Sequence, residues 1–600
     1  MVRSKQFKRS YVFGSFHLDP EQKILLREGQ PVPLAPKVFE TLLLLVEQSG
    51  RVVGKEEMMN VLWPDRYVEE ANLTQNIFML RKLLSRGQGE EQYIETIPKR
   101  GYRFVNAVKE ILEEVSPSVV EESSEGRRGF IEGEPSDYRN RAITSLAVLP
   151  IVNETDDPDV EFFSDGITES LINILSRISK LHLVARSVVF SYKGQVIEPR
   201  KVGAELGVDT VLSSRILLSH NKMIIRTELI EVANGWQIWG EQYDRPLSAI
   251  LTVENELSTC ISERLLSGLT EEEKKRLTKR YTQSAEAYQL YLKGRFCRNQ
   301  QTEEGFKKAI ESFEKAVEIY PDYALAQSAL ADSYVAFDFY GVIPPWESSM
   351  RAKSAAMKAL AIDETLAEAH TSLACVKMMF ERDWSGAERE FRRAIELEPK
   401  YAHAHKWYSH FLMAMGSIEQ SFTESRIALA LDPFDDEINQ YLAWHHIYAR
   451  HFDRAINQLE KTLEKNPDFF LARVTLGLAY VHRGEFSTGL IELQNASLLE
   501  RPSLLSAFIG HAYALSGQRE EALKILEELK ELSKQSYVPP YAIGLIYTGL
   551  GDNAGAFEWF RKAYEAQNAW LSWLKVAPEF DNLRSDPGFA DLLLRLNLVP

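Results

Sequence analysis

The sequence predicts a multidomain chain: an α+β module, then a mixed α/β domain, then an all-α array of helix pairs. Three observations predict this. Residues 8–107 carry strand-like and helix-like signals in the order strands, three helices, hairpin. Residues 143–270 alternate the two periodicities, which is the signature of a mixed sheet covered by helices. From about residue 283 a pair of small residues returns roughly every 34 positions.

A chain of 600 residues is too long for one core. Its three cysteines, Cys260, Cys297 and Cys375, lie far apart without ligand spacing, which fits a reducing compartment rather than a disulfide framework. The N-terminus lacks the apolar stretch of a signal peptide, and no apolar run approaches the ~18 residues of a spanning helix. A cytoplasmic protein with no membrane partner is therefore expected. The net charge of −16 argues against a nucleic-acid partner only until it is divided. Residues 1–109 hold 17 Lys/Arg against 13 Asp/Glu, a net charge of +4, so the remainder carries −20. Only the first module has a balance compatible with phosphate contact.

That module begins with two strand-like segments, SYVFGSFHLD and KILLREGQPVPL. A helix, APKVFETLLLLVEQ, follows with Pro36 in its first turn, and GRVVGKEEMMNVLW supplies a shorter one ending at Trp63-Pro64. The third helix lies in VEEANLTQNIFMLRKLL, residues 68–84. At 100° per residue Leu73, Ile77, Leu80 and Leu84 form its apolar stripe. Its opposite side carries Asn72, Gln75, Met79 and Lys82, with Asn76 at the edge. A solvated face is usually laced with Glu and Lys, whereas this one is rich in amides. QYIETIPKRGYRFV then gives two short strands around a Lys99-Arg100-Gly101 turn.

The element order, with GRVV, LW, LRKLL and TIPKRGYRF, resembles the winged helix-turn-helix DNA-binding domain of OmpR/PhoB-type regulators, and the wing is most similar to the CadC/ToxR-like subgroup. The resemblance implies that the third helix enters the major groove of double-stranded DNA and that the wing reaches the adjacent minor groove. Carried over by position, Asn72, Gln75, Asn76 and Met79 face base edges or backbone. Asn and Gln each pair bidentately with adenine, a contact worth ~1–3 kcal/mol of discrimination. Arg81 and Lys82 are assigned to phosphates, which position without specifying. Lys99 and Arg100 are the wing candidates for phosphate or minor groove. Tyr102 and Phe104 are expected to anchor the hairpin, Trp63 to pack in the core, and Arg103 to serve either an ion pair or a phosphate. Met79 replaces the cation that many response regulators carry there, so no sequence preference transfers. No receiver domain with a phosphoacceptor aspartate accompanies the module.

Residues 108–142 are rich in Glu, Ser, Gly and Pro without hydrophobic periodicity, and read as a flexible acidic linker. In 143–270, SLAVLPIV, LHLVA and DTVLSSRILL are strands. SDGITESLINILSRI is a helix capped by Ser164 or Asp165, and PRKVGAELG is a short helix opened by Pro199. KMIIRTELIEVANGWQIWGEQY is a hairpin turned at Asn234-Gly235, and TVENELSTCISERLLSGL closes the domain as a helix. This domain resembles the N-terminal α/β domain of TolB, a likeness that brings no catalytic residues.

The small pairs are Ala309/Ala316, Ala352/Ala359, Ala387/Ala394, Ser421/Ala428, Ala455/Thr462 and Gly489/Ala496, with weaker members at Ala522/Leu529 and Ala556/Ala563. Their first members are spaced 43, 35, 34, 34, 34, 33 and 34 residues apart. The long first interval holds the insertion FDFYGVIPPWES. The pattern resembles tetratricopeptide (TPR) repeats, eight of them over 283–577, with a helical cap at 578–600. The resemblance implies a superhelix whose concave groove takes an extended peptide or partner helix.

Little asks to be an enzyme. There is no P-loop, GxSxG, HExxH or kinase constellation. Asp156, Asp157, Asp159 and Glu161 suit a turn better than a cation site. His403 and His410 share a helical face with His445-His446 one repeat later, but aromatic packing is favoured over zinc. No cofactor or metal is expected. The reading is a bacterial transcriptional regulator whose winged helix binds promoter DNA, as a homodimer or in tandem, with RNA polymerase a candidate partner. Its α/β and repeat modules would sense a protein, peptide or other ligand. The competing reading is a repeat scaffold whose winged helix docks protein.

Overall fold

In the computed structural model the chain forms two compact units, Met1–Gly133 and Glu134–Pro600. The structure describes residues 7–20, 24–27, 30–32, 36–62, 73, 76–77, 80–81, 84, 93–97, 100–114, 144–155, 160–176, 178, 181–195, 198–219, 222–265, 281–338, 340–341 and 343–598.

The first unit opens with strands β1 (Phe7–Phe13), β2 (Phe16–Asp19), β3 (Ile24–Arg27) and β4 (Gln30–Val32), an antiparallel meander. Period-2 patterning puts Tyr11, Phe13, Phe16, Leu18 and Leu25 in the core. Helices Pro36–Glu47 and Lys55–Leu62 follow, flanking β5 (Val52–Val53). Residues 73, 76, 77, 80, 81 and 84 are helical. A second sheet, ordered β5-β7-β6, is made with β6 (Ile94–Ile97) and β7 (Gly101–Phe104). Phe104 packs edge-on against Phe13 at 5.1 Å and joins the two sheets to one core.

One expectation fails here. The stretch read as linker from residue 108 contains β8 (Lys109–Glu114), which pairs antiparallel with β1 from Phe7↔Glu114 to Val12↔Lys109. Its charged composition hides it, because an edge strand needs backbone partners more than apolar side chains.

The second unit begins with a sheet ordered β11-β9-β12-β13-β14 among the described residues, with β10 beside β12. Strands β9 (Ser145–Val148), β10 (Val152–Asn153) and β11 (His182–Leu183) are parallel to their neighbours. The long strands β12 (Thr210–Ser219), β13 (Lys222–Glu231) and β14 (Gln237–Pro246) are antiparallel, the last two turned at Asn234-Gly235. Helices Glu161–Ser176, Pro199–Leu206 and Ile250–Leu265 lie where the periodicity places them. Ser164 and Asp165 do not cap the first of these. The helix starts a turn earlier, so Ser164 bonds back to the Val160 carbonyl and Asp165 takes Lys193 at 2.6 Å.

Eight helix pairs follow among the described residues, from Ala285–Arg298 with Glu303–Ile319 to Pro540–Leu550 with Asn553–Glu565. Every small residue of the repeating pattern lies on the second helix of its pair, and Ala309, Ala352, Ala387, Ala455 and Ala556 are fully buried there. Small side chains let the paired axes approach, which is why the period is visible. The α/β domain and the array share one continuous core running from Leu146 to Leu598.

The groove expected to receive a peptide is occupied by the chain itself. After the eighth pair, short 3-10 turns at Ala569–Trp573 and Pro578–Leu583 lead to helix Pro587–Arg595. This segment runs back along the first helices of the array. Arg382 donates to the Asn568 carbonyl at 3.1 Å, Trp573 Nε1 to His410 O at 3.4 Å, and Arg450 to Val576 O at 2.6 Å. Trp384 Nε1 reaches Leu596 O at 2.9 Å. Trp570 and Trp573 fill the space among Trp444, Phe508, Tyr541 and His410. Where these contacts fall the inner face is interior, while a cavity of about 960 Å³ stays open beside Glu368, His403, Glu437 and Phe470.

Candidate nucleic-acid interface

The third helix is set by its apolar side. Leu73, Ile77, Leu80 and Leu84 are buried, each burial worth about 1.5–3 kcal/mol, so the helix cannot roll on its axis. This fixes which side faces outward. Asn72, Gln75, Met79, Lys82 and Lys99, with Trp63, lie outside the described residues.

Asn76 is not a base reader. Its side chain is buried, 7% exposed, and Nδ2 donates to Thr41 Oγ1 at 3.0 Å on helix Pro36–Glu47. It sits beside the stripe and completes the interhelix packing with a polar pair. Arg81 also changes role. Its Nε donates to the Ile94 carbonyl at 3.1 Å and Nη2 to Thr96 Oγ1 at 2.6 Å, so the guanidinium ties the helix to β6. Sequence reasoning missed Thr41 and Thr96; the available signal was that Asn76 lies three residues from Leu73, against the stripe. Replacing Asn76 with Ala is expected to lower the stability of this unit by about 0.5–1.5 kcal/mol, because the buried Asn76–Thr41 hydrogen bond is lost. DNA sequence preference should not move, as read by melting and by competition between duplexes; a changed preference would return Asn76 to the bases.

The wing is pinned at its root and open at its tip. β6 and β7 pair from Ile94↔Phe104 to Ile97↔Gly101. Tyr102 and Phe104 are buried, as an anchoring role requires. Arg103 makes an ion pair with Glu95 at 2.6 Å across the two strands, which resolves its two readings toward the fold. Arg100 is exposed in the turn, and its N–H donates to the Ile97 carbonyl at 3.0 Å. Gly101 has φ +142°, and a Cβ there would stand 1.9 Å from the Val53 carbonyl oxygen. Only glycine lets the wing start this close to β5.

The second unit brings its histidines together as packing. His410 and His445 ring nitrogens lie 2.9 Å apart, and His445 also meets Ser425 Oγ at 2.9 Å. Burial holds His410 well below its ordinary range and His445 at about 3, so both are neutral. His403 pairs with Asp332 at 3.1 Å. No group of three or more His, Cys, Asp or Glu side chains among the described residues is placed to hold a metal ion. No described helix is long and apolar enough to cross a membrane.

With this geometry in place, comparison with known proteins decides the module. The family described as "Transcriptional regulatory protein, C terminal" matches residues 29–104. The N-terminal module is a regulator output domain of OmpR/PhoB type. Tetratricopeptide repeat models match residues 303–323, 442–503 and 541–569, within the helix pairs. The chain is similar to the transcriptional regulator HilA of Salmonella typhi, at 23% identity over 91% of this chain and 86% of that one. It is also 36% identical to a putative adenylate cyclase 3 of Rhizobium meliloti, over 31% of this chain. The chain spans about a third of that relative's length, 32%. The solved DNA-binding domain of Escherichia coli CadC is 28% identical, covering 18% of this chain and 98% of that one with a TM-score of 0.16. The chain is a DNA-binding transcriptional regulator.

Proposed function

We propose that the regulator domain reads promoter DNA through Asn72, Gln75 and Met79 in the major groove, with Lys82, Lys99 and Arg100 on phosphates. The observation that supports this is the buried stripe of Leu73, Ile77, Leu80 and Leu84, together with the exposed wing residue Arg100. With Asn76 and Arg81 held by the protein, the reading surface narrows to three side chains and the phosphate set to three cations. So small a footprint calls for two copies on DNA, as a homodimer or in tandem. The second unit is the sensing part, with RNA polymerase or another protein as its partner. The reading includes no enzymatic step.

A salt titration of DNA binding by the full chain tests the phosphate set. Three neutralised phosphates per copy require log K to fall with log salt at a slope of roughly −2.7 per copy. Lys82→Ala should lower the slope by about 1 and weaken all duplexes alike, whereas Gln75→Ala should change which duplex is preferred. Absence of binding at low salt favours the competing reading, a repeat scaffold whose winged helix docks protein.

A further inference from the structure

The joint between the α/β domain and the first helix pairs holds a cavity of about 90 Å³. It is lined by four tyrosines, Tyr281, Tyr288, Tyr291 and Tyr323, and by the carboxylates of Glu254 and Glu368. Glu254 and Tyr288 are only 5% and 4% exposed; they stand beside each other and Ser170, yet neither Glu254 Oε1 nor Tyr288 Oη completes a well-formed hydrogen bond. Buried polar atoms are almost always well satisfied, so two poorly bonded ones on one cavity wall leave room for an occupant that completes them. Burial pushes the Glu254 carboxyl above its ordinary value, with Ser170 and Tyr288 pulling the other way.

The other buried carboxylate on the wall, Glu169, is matched by cations. Arg295 Nη2 donates to Glu169 Oε2 at 3.0 Å, and Arg186 and Asn299 complete that carboxylate. Glu254, by contrast, has no cation acting on it and is surrounded by ring faces; Tyr291 and Tyr323 lie 5.2 Å apart and Tyr288 and Tyr291 6.4 Å. Phenol rings around a carboxylate attract a cation through the ring quadrupole as well as through charge, which is how aromatic cages select ammonium groups. The cavity also has an approach. Tyr291, Arg295 and Glu368 border a second, larger cavity of about 960 Å³, bounded on the domain side by Arg186 and Ser187.

We propose that this cavity binds an organic ammonium ion, its nitrogen against Glu254 and the tyrosine rings and its substituent extending into the larger cavity. The inference deepens the proposed function, because it gives the sensing unit a ligand class. It rests on that reading only for effects at DNA, and ligand binding is measured without DNA, so the two fail separately.

The test is calorimetry on the full chain with choline, with Nα-acetyl-lysine amide, and with 3,3-dimethylbutan-1-ol, the uncharged isostere of choline. At least one ammonium probe is expected to bind at least tenfold more tightly than the isostere. Choline alone binding assigns a free small molecule; the lysine amide binding as well assigns an amine that a peptide can carry. Glu254→Gln should weaken the ammonium probe tenfold or more without lowering the melting temperature of the empty protein, since it removes a buried charge that no cation faces and keeps a hydrogen-bonding side chain. Tyr288→Phe, which keeps the ring, should weaken it only a few-fold. Equal binding of the isostere, no binding of either ammonium probe up to about 10 mM, or an unaltered affinity in Glu254→Gln would overturn the proposal.

Discussion

Replacing Trp573 with Ala is expected to lower the stability of the second unit by about 3–5 kcal/mol, the range for deleting a buried large aromatic. The side chain is 1% exposed and fills the space between the His410 ring, 4.3 Å away, and Trp570. Its neighbours come from helices Ala402–Ala414 and Asp436–Tyr448 and from the 3-10 turn itself, elements that cannot close up without separating helix pairs. Dispersion lost on all sides is therefore not recovered by collapse. Indole Nε1 is also a second donor, at 3.4 Å, to the His410 carbonyl within helix Ala402–Ala414. Urea unfolding followed by circular dichroism reads the loss. A change below about 1 kcal/mol would mean that the segment 568–598 rests on the array without supporting it, and would restore an open groove.

What the sequence disclosed and what it hid divide along one physical line. Contacts that recur at a fixed spacing leave a pattern, and contacts made once do not. Gly477 and Gly489 illustrate the first kind. A Cβ on Gly489 would meet the Gly477 carbonyl oxygen at 2.7 Å, and one on Gly477 the Gly489 carbonyl oxygen at 3.0 Å, so close crossing demands small residues there and at each equivalent crossing. The repeat count and the α/β strands were legible for this reason. Trp384 and Leu596 illustrate the second kind, joined by one hydrogen bond across 212 residues with no periodic trace. So do β1 and β8, whose pairing is made by backbone groups and is indifferent to the acidic side chains that suggested a linker. At the DNA-facing helix the leucine stripe was readable from its spacing. The turn of Asn76 toward Thr41 was not, because a 3.0 Å hydrogen bond to a residue 35 positions away decides it.

The same line separates the joint of the second unit from its parts, and Glu169 tests it. Each domain was visible alone, but the carboxylate that fastens them was not. Glu169 lies on helix Glu161–Ser176 of the α/β domain, 4% exposed, and holds Arg186 beside it together with Arg295 and Asn299 from the first helix pair. Burial alone would push this carboxyl up; the guanidiniums of Arg186 and Arg295 outweigh it and hold it below the ordinary 4.5. Glu169→Gln keeps the shape but leaves two guanidiniums, each about a third exposed, without their anion. Breaking a buried pair costs 3–5 kcal/mol, and partial solvation of the two arginines reduces this to roughly 2–4 kcal/mol here. Because the folded carboxyl titrates below the unfolded one, the wild-type advantage is fully present above pH 4.5 and is lost as pH falls through the lower folded value. Melting of both proteins between pH 7 and pH 3 should therefore give curves that converge only at the acid end. Parallel curves would show that the carboxylate is held by its hydrogen bonds without its charge. The variant should also broaden the melting of the second unit, since the joint would keep its shared core and the Ser187–Asp432 hydrogen bond but lose the ionic tie from Glu169 to Arg295.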